Sequence, residues 1–115
     1  MEMLNRSAII IKPRRPYLEW CRQDDAEGLA ERVFKTLHED PTVFLLPEYE
    51  DPETQQEVLE EFWPHLFEAL LEGWSTNERY WPTNRTIEMF YEWFEVHMSP
   101  IVRDLYLDEP LKYID

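Results

Sequence analysis

Glu61, His65 and Glu68 recur at helical spacing, so a helix through them would align a histidine between two carboxylates, one turn apart. Such a line invites comparison with a carboxylate–histidine metal centre. Di-iron bundles, however, draw a Glu-x-x-His from each of two helices, and this chain contains no Glu-x-x-His. A lone Cys21 excludes a disulfide framework and any multi-cysteine zinc or iron–sulfur site. The expectation is therefore no bound metal and no cofactor, with His65 packed beside an apolar stripe on a solvated acidic face. Nucleophilic chemistry finds no better footing. His38, His65 and His97 accompany Ser7, Ser75 and Ser99, but none of these serines has the flanking glycines of a nucleophile elbow. Two glycines in the whole chain also exclude a glycine-rich phosphate loop. Arg22 beside Cys21 would lower a thiol pKa, but a buried structural cysteine is the preferred reading. No catalytic residue is assigned.

Binding chemistry has three candidates. Lys12, Arg14 and Arg15 crowd the turn Lys-Pro-Arg-Arg-Pro after an apolar strand. If that strand runs parallel to a neighbour ending at residues 47–51, the basic turn faces an acidic one and forms an anion or ligand site at the strand ends. An exposed ion-pair cluster of little energetic consequence is the competing reading. Residues 48–72 hold nine carboxylates and no Lys or Arg, with Glu57, Glu60 and Glu61 on the expected solvent face of a helix. The loop 73–82 gathers Trp74, Tyr80 and Trp81 around Arg79, a composition enriched at recognition surfaces. Those rings serve equally well as a lid over the core, and both readings stay open.

The elements that must hold these residues follow from pattern. Residues 7–12, Ser-Ala-Ile-Ile-Ile-Lys closed by Pro13, and 42–46, Thr-Val-Phe-Leu-Leu between two prolines, read as strands buried on both faces. Ile9, Ile11, Val43 and Leu45 are the expected buried positions. Residues 101–107 give a third, edge strand. Pro16 opens a short helix over 17–23, and Leu29, Ala30, Val33 and Leu37 mark a second. Asp51-Pro52 caps a long helix with Leu59, Phe62, Trp63, Leu66, Phe67, Leu70 and Leu71 on one stripe, ended by Gly73 and kinked or divided at Pro64. Thr83 or Asn84 caps a last helix with Ile87, Phe90, Tyr91 and Phe94 at helical spacing, ended by Ser99-Pro100. A connection of about 30 residues between the first two strands suits a parallel, right-handed crossover. The expected fold is α/β or α+β: one small three-stranded sheet in β-α-β-α-α-β order, packed with three to four helices and more than half helical.

Size and charge bound the function. At 115 residues one domain, 1–115, is the default, and such a domain buries roughly 65 % of its unfolded surface. Five Trp, six Tyr and six Phe supply the core, so a net charge of −14 does not signal disorder. Residues 1–23 carry five basic and two acidic side chains, and the other 92 carry six and 23. That field repels nucleic-acid phosphates and anionic lipid, which argues against either as a partner and favours a basic protein. The longest aliphatic run, residues 8–11, falls far short of the ~20 residues of a membrane span. The N-terminus lacks a signal-peptide layout, so a cytoplasmic location is expected.

Arg-Ser-Ala-Ile-Ile-Ile-Lys-Pro, Pro-Tyr-Leu-Glu-Trp, Pro-Thr-Val-Phe-Leu-Leu-Pro-Glu, Glu-Gly-Trp and Trp-Pro-Thr together resemble a family of short, acidic, functionally uncharacterised bacterial proteins, some labelled VacJ. The resemblance spans most of the chain and implies a bacterial source. It brings no catalytic residues. The lipid-transport role of that label is not carried over, because Leu-Glu-Trp before Cys21 is a poor lipoprotein processing site. A non-enzymatic acidic module that binds a basic protein partner is the first choice. The alternative is a small enzyme or anion-binding domain using Lys12, Arg14 and Arg15.

Overall fold

A computed structural model describes residues 2–114. It contains β1 (Glu2–Met3), β2 (Ser7–Pro13), α1 (Arg15–Arg22), α2 (Ala30–Glu39), β3 (Val43–Leu46) and α3 (Pro52–Glu72). A 3₁₀ turn (Glu78–Tyr80), α4 (Ile87–Trp93), β4 (Phe94–Ser99) and β5 (Arg103–Asp104) follow. The fold is α+β, with four helices and two small antiparallel sheets, and it is 43 % helical. This corrects the expected single three-stranded sheet and helical majority.

β2 is the centre of the main sheet, ordered β3-β2-β4, and both of its neighbours run antiparallel to it. The expected parallel crossover is thereby overturned. The connection that carries α1 and α2 is long enough for either orientation, and here it starts and ends at the same end of the sheet, with Val43 opposite Ile10. β4 is the larger surprise, because residues 94–99 were expected to continue a helix. Phe94, Val96 and Met98 alternate with Glu95, His97 and Ser99, and this two-residue period pairs with β2 from Pro13 to Ala8. Phe94 fits both periods, so the helical spacing of Ile87 and Phe90 runs out one residue before it. The expected strand over 101–107 shrinks to β5, which pairs only with β1 in a separate two-stranded ribbon.

Among the described residues, the helices cover one face of the sheet. Ile9 lies opposite Phe44 and Met98, and Ile11 opposite Val96, so these side chains share the inner face with Ser7, Leu46 and Phe94. Val43 and Leu45 point the other way and are 55 % and 52 % exposed, against the expectation that they are buried. The reason is alternation under one-sided cover: Phe44 and Leu46 take the inner face, which leaves Val43 and Leu45 on the other. The outer face also carries Ile10, Lys12, Glu95 and His97, half-buried or exposed.

Beneath the inner face lies an aromatic core. Phe67 of α3 stands 5.3–5.9 Å, centre to centre, from Phe90, Trp93 and Phe94. Tyr17 of α1 packs 5.5 Å from Phe94 and donates its buried hydroxyl to the Leu70 carbonyl at 2.8 Å. α3 begins with a capping box, Asp51 Oδ1 accepting from Thr54 N at 2.8 Å while Thr54 Oγ1 accepts from Asp51 N at 3.2 Å. It runs unbroken through Pro64, where two abutting helices had been one expectation. The missing proline N–H leaves the Glu60 carbonyl without its helical donor, at a solvent-exposed residue where water can replace it. α4 is capped by Thr86, whose Oγ1 accepts from Met89 N at 3.1 Å, rather than by Thr83 or Asn84. Gly28, at φ +70°, supplies the left-handed residue that turns the chain into α2, where the Asp25 carboxylate accepts from the Leu29 and Ala30 amides.

Candidate functional site

The expected anion site does not assemble as foreseen. Because β2 and β3 are antiparallel, the turn after β2 and the turn after β3 lie at opposite ends of the sheet. Arg15 instead pairs with Glu19 on its own helix at 2.9 Å. Lys12 sits opposite Glu95 on β4, and the Arg14 amide donates to the Trp93 carbonyl at 2.7 Å. The Glu95 carboxyl is held below its ordinary range, first by its hydrogen bond from His97 and then by the charges of Lys12 and Arg14. Lys12 and Arg14 are thus placed near a carboxylate of the chain itself.

Among the described residues, no three His, Cys, Asp or Glu side chains converge to hold a metal ion. His65 is exposed, with its ring 6.2 Å from Phe62, and Glu68 turns instead to Arg85 at 3.2 Å. Cys21 is buried, and burial pushes its thiol up to about 12, which leaves it protonated and unreactive at neutral pH.

Glu57, Glu60 and Glu61 are exposed on α3, whose buried side is Val58, Leu59, Leu66, Phe67, Leu70 and Leu71. Beyond the C-terminus of α3 the three aromatic residues singled out in the loop part company. Trp81 turns inward and is half-buried. Its indole N–H donates to the Ser75 carbonyl at 2.8 Å, and the Arg85 guanidinium lies 5.9 Å from its ring. Arg85 also donates to the Pro82 carbonyl at 2.7 Å, so it binds α3 to the loop. Trp81 is a lid. Trp74, half-buried against the core as Trp81 is, and the exposed Tyr80 line an open pocket of about 190 Å³ together with the buried Trp20 and with Gln23, Asp24 and Ser75.

Trp20 is the member that sequence reasoning missed. It comes from α1, packs 5.7 Å from Tyr17 and 6.0 Å from Trp93, and donates its indole N–H to the Tyr80 carbonyl at 2.9 Å. The loop is fixed from within as well, because Asn77 N donates to Ser75 Oγ and Arg79 N to Asn77 Oδ1. The pocket wall is therefore formed before any ligand arrives, which spares the ordering cost of binding. Asp24, on its rim, is exposed, and its carboxylate makes no hydrogen bond or ion pair among the described residues. No lysine or arginine lines the pocket. No helix among the described residues is long and apolar enough to cross a membrane. Compared with family models, curated proteins and solved structures, the chain matches none.

Proposed function

We propose that the chain is a non-enzymatic acidic interaction module that binds a basic protein partner in the bacterial cytoplasm. The observation that carries this reading is the pairing of two exposed features along one element. α3 displays Glu57, Glu60 and Glu61 without a neighbouring lysine or arginine in residues 48–72, and the loop beyond its end displays Tyr80 beside the half-buried Trp74. Uncompensated charge speeds encounter with an oppositely charged surface, whereas aromatic side chains in a preformed pocket resist separation. The buried, protonated Cys21 is compatible with a reducing compartment.

The test is parallel affinity capture with the wild-type chain and with a Glu57→Lys, Glu60→Lys, Glu61→Lys variant. A basic protein retained by the wild type and lost or much reduced with the variant is the expected result. Equal capture by both, or no basic protein with either, refutes the reading.

A further inference from the structure

We infer that the pocket between α1 and the loop after α3 seats one cationic side chain, a lysine or arginine on an exposed segment of the partner. The inference rests on the interaction-module reading and adds what the partner must present. Tyr80 supplies an exposed aromatic ring, the half-buried Trp74 and the buried Trp20 back the wall, and Asp24, Gln23 and Ser75 supply acceptors in the lining. Aromatic faces attract cations through their quadrupole, most strongly where the cation sheds water against them. A volume of about 190 Å³ is below the roughly 300–1,000 Å³ of sites for drug-sized ligands, and suits a single side chain.

Other ligand classes fit less well. An anion would meet the Asp24 carboxylate and no cationic partner in the lining. An apolar side chain would desolvate Asp24, Gln23 and Ser75 without giving them hydrogen bonds. A choline headgroup shares the cation chemistry, but a chain of net charge −14 is repelled from membrane surfaces that carry anionic lipid.

Nuclear magnetic resonance of the five indole N–H groups reads the pocket directly. The probes are acetyl-Gly-Ser-X-Ser-Gly-amide peptides in which X is lysine, arginine or norleucine. The lysine and arginine peptides are expected to shift the Trp20 and Trp74 indole signals and to leave that of Trp63, on α3, in place. Norleucine, a neutral chain of similar shape, should not. Asp24→Asn and Tyr80→Ala alter exposed side chains, and each should weaken the lysine peptide about two- to fivefold without changing the melting temperature. Equal shifts with norleucine, no shifts with either cation, or pocket shifts only with phosphatidylcholine vesicles would overturn the inference. A ten-lysine peptide at low salt separates this failure from failure of the broader reading. Shifts confined to the exposed acidic residues of α3 remove the pocket and leave the module, and no binding at all removes both.

Discussion

Replacing Trp81 with alanine removes a half-buried ring that closes the end of the core and holds the aromatic loop in place. Complete loss of a buried tryptophan costs about 3–5 kcal/mol, and a ring mostly but not wholly withdrawn from water accounts for about two thirds of that. The lost indole N–H bond to the Ser75 carbonyl adds about 1 kcal/mol, and the Arg85 guanidinium 5.9 Å away contributes less. The expected destabilisation is about 3–4 kcal/mol, a fall in melting temperature of roughly 12–16 °C for a domain of this length. Trp81→Phe keeps most of the ring and should cost about 1 kcal/mol, chiefly the hydrogen bond. Tyr80→Ala, at a ring 56 % exposed, should leave the melting temperature within about 2 °C. Calorimetry on the three variants checks the ranking. Partner affinity supplies the opposite ranking, because Tyr80 lines the pocket and Trp81 does not. A melting temperature for Trp81→Ala within about 3 °C of the wild type would refute the assignment of Trp81 as a lid.

Phe67→Ala, at the centre of the ring cluster and fully buried, should cost about 3–5 kcal/mol in urea titration and leave much of the protein unfolded at 37 °C. Cys21 gives a pH dependence. Its folded-state pKa is raised from 9.0 to about 12, so stability is intact below pH 9 and is lost as pH rises toward 12. The unfolded chain releases the proton first, and unfolding free energy should fall by about 1 kcal/mol between pH 9 and pH 10 from this group alone. Comparing Cys21→Ala with the wild type across that window isolates the contribution, and parallel curves would exclude it. Glu57→Lys, Glu60→Lys, Glu61→Lys should fold normally, because all three side chains are exposed, and should slow association with a basic partner. Raising salt from low to physiological ionic strength should slow the wild type toward the variant by screening charges beyond ~8–10 Å, with little change in dissociation rate, and stopped-flow binding measures both.

How much of this was readable in the residues depends on how local each determinant is. β2 and β3 were legible as short aliphatic runs, the first closed by Pro13 and the second set between Pro41 and Pro47, and α3 because Asp51-Pro52 starts it and Gly73 ends it. The orientation of β3 was not, since a long helical connection serves parallel and antiparallel partners alike. β4 was hidden by Phe94, which satisfies a helical period with Phe90 and an alternating one with Val96. The choice between them is made by pairing with β2, about eighty residues earlier in the chain. Burial of Val43 and Leu45 was misassigned because two-sided cover was assumed, whereas the helices and their aromatic core lie beneath one face. Glu57, Glu60 and Glu61 lie on the solvent side of α3 as its stripe implied, although Phe62 and Trp63 of that stripe are only half-buried and the buried Val58 was not part of it.

The site divides along the same line. Trp74 and Tyr80 could be found from loop composition, but their roles could not be separated from that of Trp81, and Trp20 lay out of view because its hydrogen-bond partner Tyr80 is sixty residues away. That separation has a functional consequence. A pocket closed by two distant segments is as rigid as the packing between them, and here the packing is Trp20 against Tyr17 and Trp93, within the core itself. The exposed Tyr80 ring is consequently carried on backbone tied to Trp20, which is buried in the core. Exposed aromatic surface ordinarily promotes self-association, and the charge of −14 opposes it by making every copy repel every other. On the proposed reading, the same field that keeps copies apart would draw a cationic partner toward the pocket. Acidity and aromatic lining would then act together, charge selecting the partner at a distance and the rings retaining it on contact.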